Sequence, residues 1–298
     1  MITLTGLTKR YGDRTAVDDL SFDLAAGRVT GFVGPNGAGK STTMRMMVGL
    51  TRPDAGEVRY DNTPYADLEH PTRTVGAVLD AQCMHPGRTA RNHLRAMAAL
   101  SGINPGRVDE VLTEVGLETA ADQKAGGFSL GMRQRLALAG ALLGDPQVLL
   151  LDEPSNGLDP DGIRWLRNHL SDFADRGGTV FVSSHLISEL AMFADDLVVV
   201  GNGRLIAAES VAAISARNET TVVVRTPQID EFVEVLTRLQ IDVHIEDEQL
   251  HIIGTTLADV SQLAFDHGIR LLELTETSRS LEDNLLDMTR SSAEFASA

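Results

Sequence analysis

The chain has 298 residues, 43% of them hydrophobic, and a formal net charge of −16, which suits one large or two modest globular domains and argues against nucleic acid as a partner. Cys83 is the single cysteine, so an internal disulfide and a multi-cysteine zinc site are excluded and a reducing cytosol fits. No charged start leads into an apolar run and no eighteen consecutive residues are apolar, so neither a secretory signal nor a membrane-spanning helix is expected.

VTGFVG, Val29 to Gly34, is apolar throughout, as suits a strand buried on both faces of a parallel sheet. It runs into GPNGAGKS, Gly34 to Ser41, and then into a Met-rich helical stretch, TTMRMMVGL. The loop fits G-x-x-x-x-G-K-[ST] in the strand–loop–helix setting that the motif requires. Glycines let the backbone curl so that its N–H groups point at a polyphosphate, and the helix N-terminus adds partial positive charge. Lys40 would reach the β- and γ-phosphates and the Ser41 hydroxyl a magnesium ion. The nucleotide-binding candidates here are Gly34, Pro35, Asn36, Gly37, Ala38, Gly39, Lys40, Ser41 and Thr42.

From about Thr89 to Gly126 the apolar residues recur every three or four positions, which predicts a helical insert on the sheet core. FSLGMRQRLALAGALLGDP follows at Phe128 to Pro146. The next strand, VLLLD, ends in two adjacent acids, Asp152 and Glu153, within VLLLDEPSNGLDP. TVFVSS at Thr179 to Ser184 is another buried strand, closed by His185. After Arg217 the texture becomes strand, helix, strand, strand, helix, strand and helix, an order like a small ferredoxin-like α+β unit with an added helix. Ser280 and Asp283 would cap that last helix, and a polar tail follows Arg290. From Asn218 to the end, 5 basic side chains face 16 acidic ones, so this quarter holds most of the net negative excess.

Taken together and in this order, the motifs make the first 215 residues resemble the ATP-binding-cassette family. The resemblance implies an α/β fold, a P-loop NTPase (RecA-like) core with a mixed sheet, and a helical subdomain over about 86–140. The expected domains are the cassette at 1–215, an acidic accessory unit at 218–290, and a tail at 291–298. By resemblance, Ser129 and Gly131 of the signature meet the γ-phosphate held by a second copy. Phe128, Leu130 and Met132 replace the usual leucine, glycine and glutamine. Asp152 would hold magnesium together with Ser41, Glu153 would be the general base, and His185 would orient Glu153 and the water. Asn156 to Asp159 would line the dimer interface, with Asp159 near the nucleotide, and Tyr11 would stack on adenine. An ungapped alignment puts Asp80 where the family often carries a magnesium-touching glutamine, with Gln82 as the alternative.

The substitutions and the acidic C-terminal unit resemble the subgroup of two-component exporters of drugs, antibiotics or lipids. That implies ATP and magnesium as cofactors, a separate transmembrane permease and a second copy as partners, and attachment to the cytoplasmic side of the membrane through the permease. A cassette ATPase of DNA repair or translation is the alternative. Fewer than ninety residues separate Ser41 from Phe128, too few for the long coiled coil of the repair class.

Overall fold

The computed structural model describes residues 1–80, 84–185, 187–216, 220–246 and 249–278. Gln82, Cys83, the Ser280–Asp283 capping box, the last helix and the polar tail lie outside the described residues. Contacts divide the chain into two compact units, with the boundary between Val211 and Ala212.

In chain order the first unit contains β1 (Ile2–Tyr11), β2 (Arg14–Leu24), β3 (Val29–Val33), α1 (Lys40–Met47), β4 (Ala55–Tyr60), β5 (Thr63–Pro64), α2 (Pro71–Thr74) and β6 (Val75–Val78). It continues with α3 (Ala90–Leu100), α4 (Arg107–Glu114), α5 (Leu130–Leu142), β7 (Val148–Asp152), α6 (Pro160–Asp175), β8 (Thr179–Ser184), α7 (Ile187–Ala191), β9 (Asp196–Gly201) and β10 (Arg204–Ser210).

Two sheets form. One has four strands in the order β2-β1-β4-β5; the other has six, β10-β9-β3-β8-β7-β6, parallel except for β10. The six-stranded sheet explains the uninterrupted apolar runs: every residue of β3 and β8 is buried. Phe22 of β2 joins the sheets by packing on Phe32 and Phe181 at ring-centroid distances of 5.9 and 5.7 Å, while Phe32 stacks on Phe181 at 4.8 Å. Such offset rings bury large areas with defined geometry. The four-stranded antiparallel sheet is the part of the core that the apolar runs did not announce, because its strands alternate buried and exposed residues among charges.

α3 to α5 form the helical part, which therefore includes the helix after Ser129. The periodic residues close it: Leu94 and Ala98 of α3, Val108, Val111 and Leu112 of α4, and Leu136, Ala139 and Leu142 of α5 are all buried. Thr89 caps α3 by accepting from the Asn92 N–H at 3.2 Å.

The second unit begins within α8 (Val211–Ala216), then runs β11 (Thr220–Arg225), α9 (Ile229–Arg238), β12 (Val243–Glu246), β13 (Gln249–Ile253), α10 (Leu257–Asp266) and β14 (Glu273–Ser278). Its sheet is antiparallel in the order β12-β13-β11-β14. Val222, Val224, Leu250 and Ile252 pack with Phe232 and Leu236 of α9 and Val260 and Ala264 of α10, which places both helices on one face of the sheet.

Candidate nucleotide site

β3 delivers the chain at Val33 to a loop whose shape is fixed by glycines. Gly37 and Gly39 have φ of +84° and +100°, a region that costs an L side chain energy. A Cβ on Gly39 would also strike the Ala16 carbonyl, and one on Gly34 the Val200 carbonyl. The Ala38 N–H donates to Pro35 O at 3.1 Å, closing the turn, and the Thr43 N–H and hydroxyl both donate to Gly39 O at 2.9 and 3.0 Å, starting α1.

Lys40 is 6% exposed. Its Nζ donates to Gly34 O at 2.7 Å and lies 3.9 Å from a Glu153 carboxylate oxygen. Burial pushes the Lys40 pKa down, while Glu153 and Asp152 pull against that shift. A buried cation at a glycine-shaped loop that opens a helix suits a polyphosphate.

The cleft above the loop measures about 410 Å³, within the range of small-molecule sites. Tyr11, Asn36, Gly37, Gly39, Lys40, Ser41, Thr42 and Glu153 line it, as expected from the sequence, and Arg14 and Ala16 join them. Arg14 reaches the loop, with Nη2 3.5 Å from Gly37 O, and was not singled out from the sequence. The only signal for it was its place three residues after Tyr11. Tyr11, 52% exposed at the end of β1, offers an open ring.

β7 and β8 bring the acids and the histidine to the same end of the sheet. Glu153 Oε2 and His185 Nδ1 are 2.7 Å apart. Glu153 has φ +50°, a strained backbone for a glutamate. The fully buried Ser183 hydroxyl donates to Asp152 Oδ1 at 2.6 Å and accepts from the Glu153 N–H at 2.9 Å. Sequence reasoning passed over Ser183 because a serine in a buried strand reads as packing; its pairing with Asp152 depends on the β7–β8 register, Asp152↔Ser183. Ser155, two residues after Glu153, donates to Glu189 Oε2 of α7 at 3.0 Å. A carboxylate beside a histidine and facing a buried lysine is chemically able to activate water against a phosphoryl group.

Three expected residues lie elsewhere, and Asp80 makes a fourth. Ser129 caps α5 by accepting from the Met132 N–H at 3.2 Å, Gly131 sits in the first turn of that helix, and Asp159 caps α6 by accepting from the Gly162 N–H at 2.8 Å. None of the three lines the cleft formed by Lys40. Leu130 packs over Gly157, filling the space that a side chain there would need. Asp80 follows β6, three strands from β3 in the sheet and so about 14 Å across it. It lines a separate groove of about 580 Å³ with Arg45, Tyr65, Met97 and Gly140.

Residues 17–156 match the sequence profile of the family described as ABC transporter, and residues 220–282 match a domain of unknown function. The uncharacterized ABC transporter ATP-binding protein YhcH of Bacillus subtilis strain 168 is 36% identical over 297 residues, covering 99% of this chain and 97% of that protein. The chain belongs to the ABC transporter ATP-binding family.

Similarity to the bacitracin transport ATP-binding protein BcrA of Bacillus licheniformis reaches 34% over 294 residues, 95% of each chain. Among solved structures, a dimeric post-hydrolysis cassette bound to ADP and Pi aligns with a TM-score of 0.65 at 26% identity, covering 71% of this chain and 99% of that one. The P-loop cassette fold and an ATPase activity follow for this ABC protein. Among the described residues no helix is long and apolar enough to cross a membrane.

Proposed function

We propose that this ABC ATPase works as a pair of copies on the cytoplasmic side of a membrane, driving a separate permease that exports a drug-, antibiotic- or lipid-like compound. The Glu153–His185 pair, 2.7 Å apart beside Lys40, carries the catalytic reading. Glu153 accepts the proton of an attacking water, and His185 holds the carboxylate in place. His185 Nδ1 occupies one carboxylate oxygen and leaves Glu153 Oε1 toward the lysine side of the cleft.

The site residues fit magnesium. A Ser41 hydroxyl on the cleft and the Asp152 carboxylate are hard oxygen donors, and no cluster of three or more His, Cys, Asp or Glu among the described residues could hold a metal alone. That donor set suits an ion which completes its shell with phosphate oxygens and water. Magnesium bound there would neutralise charge developing on the phosphates.

Ser129, Gly131 and Asp159 serve the partner copy's nucleotide in this reading, because their own cleft does not include them. The groove beside Asp80 is the place where the permease would sense the nucleotide state. Export of an antibiotic-like cargo is supported by the full-length likeness to a bacitracin transport protein. The net charge of −16 speaks against nucleic acid. We assign the cassette to 1–215 and a ferredoxin-like accessory unit to 218–290, on its β-α-β-β-α-β order and antiparallel strand order.

Glu153→Gln tests the reading. The variant should bind ATP, lose turnover by about a thousandfold or more, and accumulate as a dimer in light scattering. A variant that stays monomeric with ATP bound overturns the paired-copy cycle.

A further inference from the structure

We propose that Ser183 is a positioning residue for the metal-holding acid. Its hydroxyl sets the rotamer of Asp152 and pins the peptide that turns into Glu153, so that the oxygen Asp152 offers to magnesium is fixed before nucleotide arrives. The inference rests on the nucleotide-site reading above and adds to it a residue to which the family resemblance gave no role.

The geometry is specific. Ser183 Oγ is both donor and acceptor: it donates to Asp152 Oδ1 at 2.6 Å and accepts from the Glu153 N–H at 2.9 Å. A hydroxyl has one proton to give, so the direction of the pair is settled: the amide can only donate, and the proton goes to the carboxylate. A bond of this kind to an ionised acceptor is shorter and stronger than a neutral one. Ser183 is fully buried, so its hydroxyl is committed to these two partners. The peptide it holds is the strained one, Glu153 having φ +50°. Groups one bond removed from a metal ligand are known to govern ligand orientation, and losing one weakens metal binding by about 10–100-fold.

A conservative rescue is available. Behind Ser183 a small apolar cavity of about 50 Å³, between α6, β8 and α7, is lined by Pro154, Leu166, Val182 and Leu190. That space accepts the extra methyl of a threonine while the hydroxyl stays in register.

The experiment uses the full chain as Ser183→Ala and Ser183→Thr, with a fluorescent ATP analogue titrated in EDTA and then against increasing magnesium. The alanine variant should bind the analogue in EDTA with wild-type affinity, and its half-saturating magnesium concentration should rise about tenfold or more; threonine should restore the wild-type value. In an Asp152→Asn background, removing the hydroxyl should add nothing. An alanine variant with wild-type magnesium dependence, or one whose loss is equal with and without magnesium, overturns the proposal. Should alanine fail to fold, Ser183→Cys keeps the volume with a weak donor and is read against the same two outcomes. If the wild-type chain does not bind the analogue even at saturating magnesium, the nucleotide-site reading fails first, separately from Ser183.

Discussion

In the cassette, β3 and β8 are buried along their whole length, and β7 is buried up to Asp152. In the C-terminal unit, β13 alternates, with Leu250 and Ile252 buried and Gln249, His251 and Ile253 half-exposed. Strands that use both faces for packing leave only their ends for chemistry. The phosphate loop, Asp152–Glu153 and His185 accordingly gather at the carboxyl ends of three parallel neighbours, β3, β7 and β8. This antiparallel sheet gathers no such row of strand ends, and the outward residues of β13 stay half-exposed. Function is therefore marked by motif in the first unit and by no motif in the second.

The largest effect is expected where the second unit is tested for independence. Phe232 is completely buried against Val222, Val224 and Leu236, so Phe232→Ala should cost about 3–5 kcal/mol of that unit's stability. Calorimetry or denaturant unfolding should show one transition move while ATP binding by the cassette is unchanged. A simultaneous loss of ATP binding would break the comparison and make the two units one cooperative body.

Gly39→Ala probes the other side. At φ +100°, with the Ala16 carbonyl in the way of a Cβ, the substitution should strain the loop by about 1–3 kcal/mol. Nucleotide affinity should drop about tenfold or more, and the unfolding of the C-terminal unit should not change.

The smallest effect concerns pH. His169 of α6 is stacked on Trp165 at 5.5 Å and lies 3.8 Å from Glu114 of α4, with Arg135 over the Trp165 ring at 4.0 Å. Burial holds its pKa below the ordinary 6.5, Glu114 and Asp172 pull upward, and Arg176 pushes down. The folded state thus keeps His169 neutral where the unfolded chain takes up a proton, so this contribution is present above about pH 6.5 and is lost as the pH falls below it. Replacing it in His169→Gln should flatten the acid side of the cassette's melting profile; a parallel profile would exclude His169 as a source of that slope.

Much of the cassette was readable in advance because its candidate site residues are tied to contiguous strings: a loop, an acid pair, a terminal histidine. What stayed hidden depends on pairs far apart in sequence. Ser183 matters through its register with Asp152, 31 residues away, and Arg14 through its reach to Gly37, 23 residues away. The antiparallel sheet of β1, β2, β4 and β5 was obscured by charged outward faces. Asp80 could be aligned but not placed, since only the sheet order puts β6 three strands from the loop. In the C-terminal unit the succession of elements was visible in its periodicity, whereas its strand order, β12-β13-β11-β14, is a property of pairing.

Leu130 stands in the signature where the family resemblance calls for glycine, and its side chain fills the space above Gly157, whose φ of +75° already favours glycine. The two positions therefore share one vacancy, and only one of them at a time can carry bulk. The start of α5 and the turn that follows Glu153 are thereby bound to each other in size, although they lie far apart along the chain.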